Sequence, residues 1–362
     1  MDGTMDAGRT GCGSGRGGRR AGLAFLLIAA ALTGCATTSK GPPVNLDAAT
    51  GAVRFADSPA LQEGDLVLTR ADNALAALFA GHGATPGPYG HTAMLVLDDQ
   101  GRPGAMHIIA SGLEVVPLGE FASRYARLAV VRLRQPPTPP DAIARSARAW
   151  QARNREKPLG FDKSFRAETT ANDQFFCLGL LNRIYTDTGA PAPFVLPPDL
   201  VHDGWLKWAH RDLGFNIDRT PTASSVLSNP AFTVVYRWEN PAANRNNLIV
   251  FDELGNYLHE RVNAGEELAP PGCGARTMIG VARLSCGLTE QGARVGVWAA
   301  KLDDHAQSVR AAVARQERRQ PEAATNPEQV RQWAHDACVY YHDQMFLRPP
   351  APAATPTPAP TP

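Results

Sequence analysis

The sequence predicts an α+β protein in which an antiparallel sheet packs on helices, followed by a mostly helical C-terminal extension. Hydrophobic residues make up 44% of the chain and charged residues 20%, a balance typical of a globular core. Short apolar runs separated by turns fill the first half, whereas longer helical patterns fill the end. With 362 residues, the chain is long enough for one large or two modest domains.

Residues 1–35 have the features of a lipoprotein signal peptide. A pair of arginines precedes the apolar run 21–34, which is too short to span a bilayer comfortably and ends in LTGC. Small residues before a cysteine resemble the lipobox of bacterial lipoproteins, which implies that Cys35 is acylated and anchors the protein to a membrane. Ala36 then implies the periplasmic face of the outer membrane. An ordinary signal peptide with an incidental cysteine is the alternative.

Residues 36–55 are small and polar, which predicts a tether between the membrane and the folded domain expected over 56–240. That domain opens with the strand GDLVLTR and a short helix that ends at Gly81. The runs HTAMLVLDD and AMHIIAS, separated by the turn DQGRPG, predict a hairpin. Further strand signals lie in VVPLGEF and LAVVRLR. Helices are predicted over 141–157, with Asp141 as N-cap, and over 175–189.

Residues 241–348 form a C-terminal extension whose role the sequence does not indicate. In it, NLIVFDELGNYLHERV predicts a hairpin that turns at Leu-Gly-Asn. Two helices are predicted after it, over 289–319 and 326–346, the second with Asn326 as cap. The Pro-rich tail 349–362 is predicted to be extended and disordered.

Charge and cysteine usage narrow the possible partners. Residues 1–35 carry four arginines and two aspartates, so the remaining chain has 32 basic and 33 acidic residues and no field that would attract nucleic acid. An exported protein can form disulfides, and four cysteines are available outside residues 1–35. Their pairing is open, with Cys273 and Cys286 as the first pair to test. We find no zinc-type spacing and expect neither a metal nor a cofactor.

Three residues suggest nucleophilic chemistry. Cys177 lies in the first turn of a predicted helix, where the amides favour a thiolate. His91 opens one strand of the predicted hairpin and His107 lies on the other, so that one imidazole can orient the second. Each residue also has a simpler interpretation. A lone cysteine is usually a small buried side chain or half a disulfide, and a histidine at a strand end is often only a polar edge residue.

The ordered runs GDLVL, PYGHTAML, DDQGRPGAMHII, GFDKSF and FFCLGLLNRIY resemble the circularly permuted, papain-like branch of the NlpC-type cysteine hydrolases, the group named after YiiX and YebB. The resemblance covers roughly 60–236 and implies Cys177 as nucleophile, His91 as base and His107 as orienting residue. Relatives often carry Glu at the place of His107. Leu178 and Gly179 replace the usual Ser or Thr and Glu, and Phe161 replaces a tyrosine.

The resemblance and the signal together lead us to expect an envelope cysteine hydrolase that cleaves an amide, with peptidoglycan stem peptides as substrate. Lipid ester or thioester chemistry and a non-catalytic envelope scaffold are the alternatives. Tyr89 and Asp162 are candidate substrate-binding residues, although a packing role for Tyr89 and a turn role for Asp162 fit the pattern as well. Glu114 and Glu120 are predicted to be solvated, and His82 is a competing candidate base.

Overall fold

A computed structural model describes ten segments of the chain: 44–46, 53–55, 58–71, 74–98, 100–109, 111–162, 173–213, 219–239, 245–270 and 290–347. The predictions for the signal peptide, including Cys35, for the Cys273–Cys286 pair and for the tail 349–362 lie outside the described residues. The thiols of Cys177 and Cys338 are free and buried.

A six-stranded antiparallel sheet forms the centre of the first domain. Its strands are ordered β10–β7–β3–β4–β5–β6, with every neighbouring pair antiparallel. The bounds are β3 Leu66–Arg70, β4 His91–Leu97, β5 Pro103–Ile109, β6 Gly112–Pro117, β7 Arg127–Leu133 and β10 Phe232–Glu239. Strands β4 and β5 are the predicted hairpin, and the α+β prediction is confirmed.

Both faces of this sheet are buried, because alternate residues of each strand point to opposite sides. On one face, residues such as Leu66 and Met94 share a core with two helices, α3 (Ala142–Glu156) and α4 (Cys177–Thr186). On the other face, residues such as Val67 and Leu95 pack on the short helix α2 (Leu118–Ser123). The positions of α3 and α4 agree with the helices predicted from sequence. Asp141 precedes α3, but its carboxylate binds Arg145 and caps no amide.

Two short strands correct the prediction of a tether over 36–55. Strands β1 (Val44–Leu46) and β2 (Val53–Phe55) form an antiparallel pair. The side chain of Phe55 is 1% exposed and stacks on Tyr236 of β10. The small and polar residues of the segment predict a tether, yet apolar side chains of β1 and β2 pack against the core on one face of the sheet.

Helix α1 (Ala74–His82) and the extension share a second core. The other helices are α5 (Gly204–Trp208), α6 (Arg245–Asn263), α7 (Glu290–Arg319), α8 (Pro327–Tyr340) and α9 (His342–Met345). Leu78 of α1 packs in one apolar cluster with Trp205 of α5 and with residues of α6, α7 and α8. The helix predicted over 289–319 is present, and the one predicted over 326–346 is divided into α8 and α9, with Asn326 capping α8 through the amide of Glu328.

Helix α6 shows that the predicted hairpin at NLIVFDELGNYLHERV is wrong. Buried positions such as Val250, Leu254 and Leu258 recur at helical spacing and face the second core. Gly255, read as a turn residue, lies where α6 crosses α1. A Cβ there would sit 3.1 Å from Nε2 of His82, so the glycine permits close packing of two helices.

No helix among the described residues is both long and apolar enough to cross a bilayer.

Candidate active site

Cys177 is the first residue of α4, at the point where the helix meets the sheet. A short parallel bridge, formed by β8 (Gly160–Phe161) and β9 (Gln174–Phe175), leads into the helix, and Phe176 is its N-cap. The first amides of a helix have no acceptor within the helix, so those at the start of α4 are available to groups around the sulfur of Cys177. The thiol is 4% exposed and belongs to the apolar core between α4 and the sheet.

The expected low pKa of this thiol is not found. Burial raises the pKa of Cys177 to about 12, although the backbone amides of Leu178 and of Cys177 itself act to lower it. Desolvation therefore outweighs the helix terminus, because an apolar cluster surrounds the sulfur. At neutral pH the resting site holds a neutral thiol.

His91 and His107 form a hydrogen-bonded pair, as the predicted hairpin requires. Nε2 of His91 lies 3.1 Å from Nδ1 of His107, and the two rings meet edge to face. The register pairs Met94 with Met106, so the two histidines are diagonal neighbours on one face of the sheet. Burial lowers the pKa of His91 to about 4. It lowers the pKa of His107 to about 2, with further contributions from His91 and Arg124.

The prediction that Glu114 is only a solvated residue is wrong, because its side chain contacts His107. It lies on β6 directly opposite His107, and its side chain is about one-third exposed. One carboxylate oxygen is 3.0 Å from Nε2 of His107, although this nitrogen makes no well-aligned hydrogen bond within the described chain. The contact is therefore mainly electrostatic. Glu120, in contrast, is more than half exposed and pairs with Arg124.

Tyr125 packs against the histidine pair. Its ring stacks on that of His91 with 6.1 Å between centroids. Burial raises the pKa of Tyr125, and an ionised Cys177 would raise it further. The two histidines lie on the face of the sheet that holds Phe121 and Tyr125, whereas Cys177 belongs to the core on the other face, and no hydrogen bond joins its thiol to His91 within the described residues. Their catalytic pairing stays a prediction.

The two candidate substrate-binding residues are both buried. Tyr89 is 3% exposed and packs in the same core as Cys177. The hydroxyl of Ser224 accepts from the amide of Tyr89 at 2.9 Å and donates to its carbonyl at 3.1 Å, which fixes the loop before His91. Asp162 is 3% exposed, and its amide donates to the carbonyl of Phe175 just before α4. Both residues support the site from within, and direct contact with substrate stays a prediction.

No group of three or more His, Cys, Asp or Glu side chains among the described residues is arranged to hold a metal ion. Sequence reasoning left out Phe121 and Tyr125, whose rings contact those of the histidines, and it gave Glu114 no role in the site. The only sequence signal for Glu114 is its position, because the register between β5 and β6 sets it opposite His107.

Comparison with known proteins gives a family match and an alignment with one solved structure. Residues 60–236, about half of the chain, match the family described as permuted papain-like amidase enzyme (YaeF/YiiX, C92 family). The solved structure of the metalloprotein yiiX from Escherichia coli O157:H7 aligns with a TM-score of 0.38 and 19% identity, over 49% of this chain and 98% of that one. No curated protein matches the sequence.

Proposed function

Because residues 60–236 form a domain of the permuted papain-like amidase family, we propose that this protein is an envelope cysteine hydrolase that cleaves an amide bond in peptidoglycan stem peptides. The predictions of the fold and of a cysteine amidase agree with this family. The substrate, the acyl-thioenzyme route and the lipid anchor at Cys35 are our proposals. The observation that carries the catalytic assignment is the hydrogen-bonded pair of His91 and His107.

From the contacts of the two imidazoles we assign a role to each nitrogen. A carboxylate beside Nε2 of His107 favours the tautomer with its proton on that nitrogen, which leaves Nδ1 as an acceptor. Nε2–H of His91 then donates to that acceptor, so Nδ1 of His91 carries the free lone pair. In this arrangement Nδ1 of His91 is the base, and Glu114 is a positioning residue that acts through His107.

The reaction begins with a neutral thiol and a neutral imidazole. As the sulfur of Cys177 attacks the substrate carbonyl, its proton passes to Nδ1 of His91. Amides at the start of α4 stabilise the oxyanion that forms on the carbonyl oxygen. The imidazolium then protonates the leaving nitrogen, the C–N bond breaks, and a thioester remains. Water, deprotonated by His91, attacks the thioester, releases the acid and returns the proton to sulfur.

The scissile bond is tested with purified cell wall and with phospholipid vesicles as separate substrates. We expect the protein to release stem-peptide fragments from the wall, and Cys177→Ala to release none. Cys338→Ala is the matched control, because that cysteine is also buried and free but lies in α8, in the second core. Release of fatty acid instead of peptide would favour lipid ester chemistry. If Cys177→Ala equals the wild type on both substrates, the assignment of this site is wrong.

A further inference from the structure

A cavity of about 460 Å³ lies between the amidase domain and the C-terminal extension. On the domain side it is lined by Arg70 at the end of β3, Arg127 at the start of β7 and the loop 86–88. On the extension side it is lined by Asp252 of α6 and Arg331 of α8. Its volume is within the range of pockets that bind small molecules. Neither the family nor the proposed hydrolysis gives this cavity a role.

Arg70 is the buried charge of this cavity. Its side chain is 2% exposed, and one terminal nitrogen donates to the carboxylate of Asp252 at 2.6 Å. The Nε–H of the same guanidinium is buried and has no hydrogen-bond partner within the described chain. An unsatisfied donor on a buried cation is costly to fold, which makes Arg70 an unusual residue in the wall of this cavity.

Two more guanidinium groups line the same space. Arg127 pairs with Glu239, and Arg331 pairs with Glu328 at 2.5 Å. Both of these carboxylates are more than half exposed, so their attraction is weakened by solvent. The charged residues that line the cavity are thus three arginines and one aspartate, Asp252, so positive charges outnumber negative ones in its wall.

Guanidinium groups bind carboxylate and phosphate oxygens through paired N–H donors, and the binding is strongest where water is excluded. We propose that the cavity is a binding site for a small anionic molecule, whose phosphate or carboxylate group is held by Arg70, Arg127 and Arg331. The ligand would bridge the amidase domain and the extension, which gives residues 241–348 a function. It would also lie next to the catalytic strands, because Thr69, which precedes Arg70, pairs with His91.

The proposal is tested by calorimetric titration of the purified full-length protein with inorganic phosphate and, separately, with citrate at constant ionic strength. We expect saturable binding of at least one anion, and the tighter of the two identifies the preferred group. Arg127→Gln and Arg331→Gln should each weaken that binding about tenfold or more, because each removes a charge-assisted hydrogen bond.

Arg318→Gln is the matched control, because Arg318 is exposed near the end of α7 and does not line the cavity. It should bind as the wild type does. Cys177→Ala should also bind normally, so that failure of the proposed hydrolysis and failure of this site are distinguishable. The proposal is overturned if neither anion binds saturably, or if Arg127→Gln or Arg331→Gln binds as tightly as Arg318→Gln.

Discussion

Replacing Glu114 by Gln tests whether the histidine pair is oriented from β6. The change keeps the size and the acceptor oxygen of the side chain but removes its charge. The carboxylate lies 3.0 Å from Nε2 of His107, which in turn contacts His91. If His91 becomes an imidazolium during attack, the negative charge stabilises that state through space and holds the tautomer of His107. The loss should therefore appear in kcat.

The size of the effect follows from the geometry. Roughly 8 Å separates the Glu114 carboxylate from the far side of the His91 ring, so at an effective dielectric constant of about 40 the attraction is about 1 kcal/mol. The high dielectric constant allows for the one-third exposure of the Glu114 side chain. A barrier raised by about 1 kcal/mol slows the reaction about fivefold.

The assay is steady-state hydrolysis of cell-wall fragments by the wild type, Glu114→Gln and the control Glu120→Gln. Glu120 is exposed and pairs with Arg124, without an ion pair to either histidine. We expect Glu114→Gln to lose about fivefold in kcat with little change in KM, and Glu120→Gln to match the wild type. Equal kcat values for the two variants, with equal melting temperatures, would refute the positioning role.

Four further predictions concern the same site. Because burial lowers the pKa of His91 to about 4, the acidic limb of kcat/KM should lie well below pH 6.5, and a limb near 6.5 would contradict a buried neutral base. The pKa of His107 is about 2 in the folded protein and 6.5 in the unfolded chain. The contribution of neutral His107 to stability is therefore complete above pH 6.5, and it is lost as the pH falls from 6.5 toward 2. Urea unfolding measures how much stability each protein loses between about pH 7.5 and about pH 5. This loss should be smaller by about 2 kcal/mol in His107→Asn than in the wild type, and an equal loss in both proteins would be inconsistent with the shift. Ser224→Ala should lower the free energy of unfolding by about 1–3 kcal/mol because two buried hydrogen bonds are lost, whereas Ser228→Ala should cost less. Since burial raises the pKa of Cys177 to about 12, iodoacetamide should alkylate it at pH 7 more slowly than it alkylates glutathione, and faster labelling would contradict the buried thiol.

Much of the fold could be predicted because its signals are local. The apolar run after His91 and the turn that follows predict the β4–β5 hairpin, and helical patterns predict α3, α4, α7 and α8. Helix α6 was misread because Leu-Gly-Asn is a common turn sequence. The glycine is required there by the approach of His82, and no local pattern reveals a contact between distant helices.

One part of the candidate site could also be predicted from local sequence, whereas the rest depends on the folded structure. The pairing of His91 with His107 follows from the hairpin, but the contact of Glu114 depends on the register across the next turn. A shift of one residue would move that carboxylate to the other face of the sheet. The pKa of Cys177 could not be predicted because it depends on how completely the folded core excludes water from the helix terminus.

The cavity depends on tertiary structure alone. Arg70 and Arg127 lie opposite each other on β3 and β7, and Arg331 of α8 joins them only when the extension docks on α1. Each of these arginines resembles an ordinary surface residue in the sequence. A cluster of charge drawn from such distant segments therefore has no sequence signal.

The central claim is that Cys177 forms a covalent thioester during amide hydrolysis. The most direct measurement is peptide mass spectrometry of protein mixed with purified cell wall and quenched in acid, which preserves thioesters. We predict that the peptide containing Cys177 gains the mass of an acyl fragment in the wild type and in Cys338→Ala. An acyl mass on another residue, or release of wall fragments by Cys177→Ala at the wild-type rate, would contradict the account.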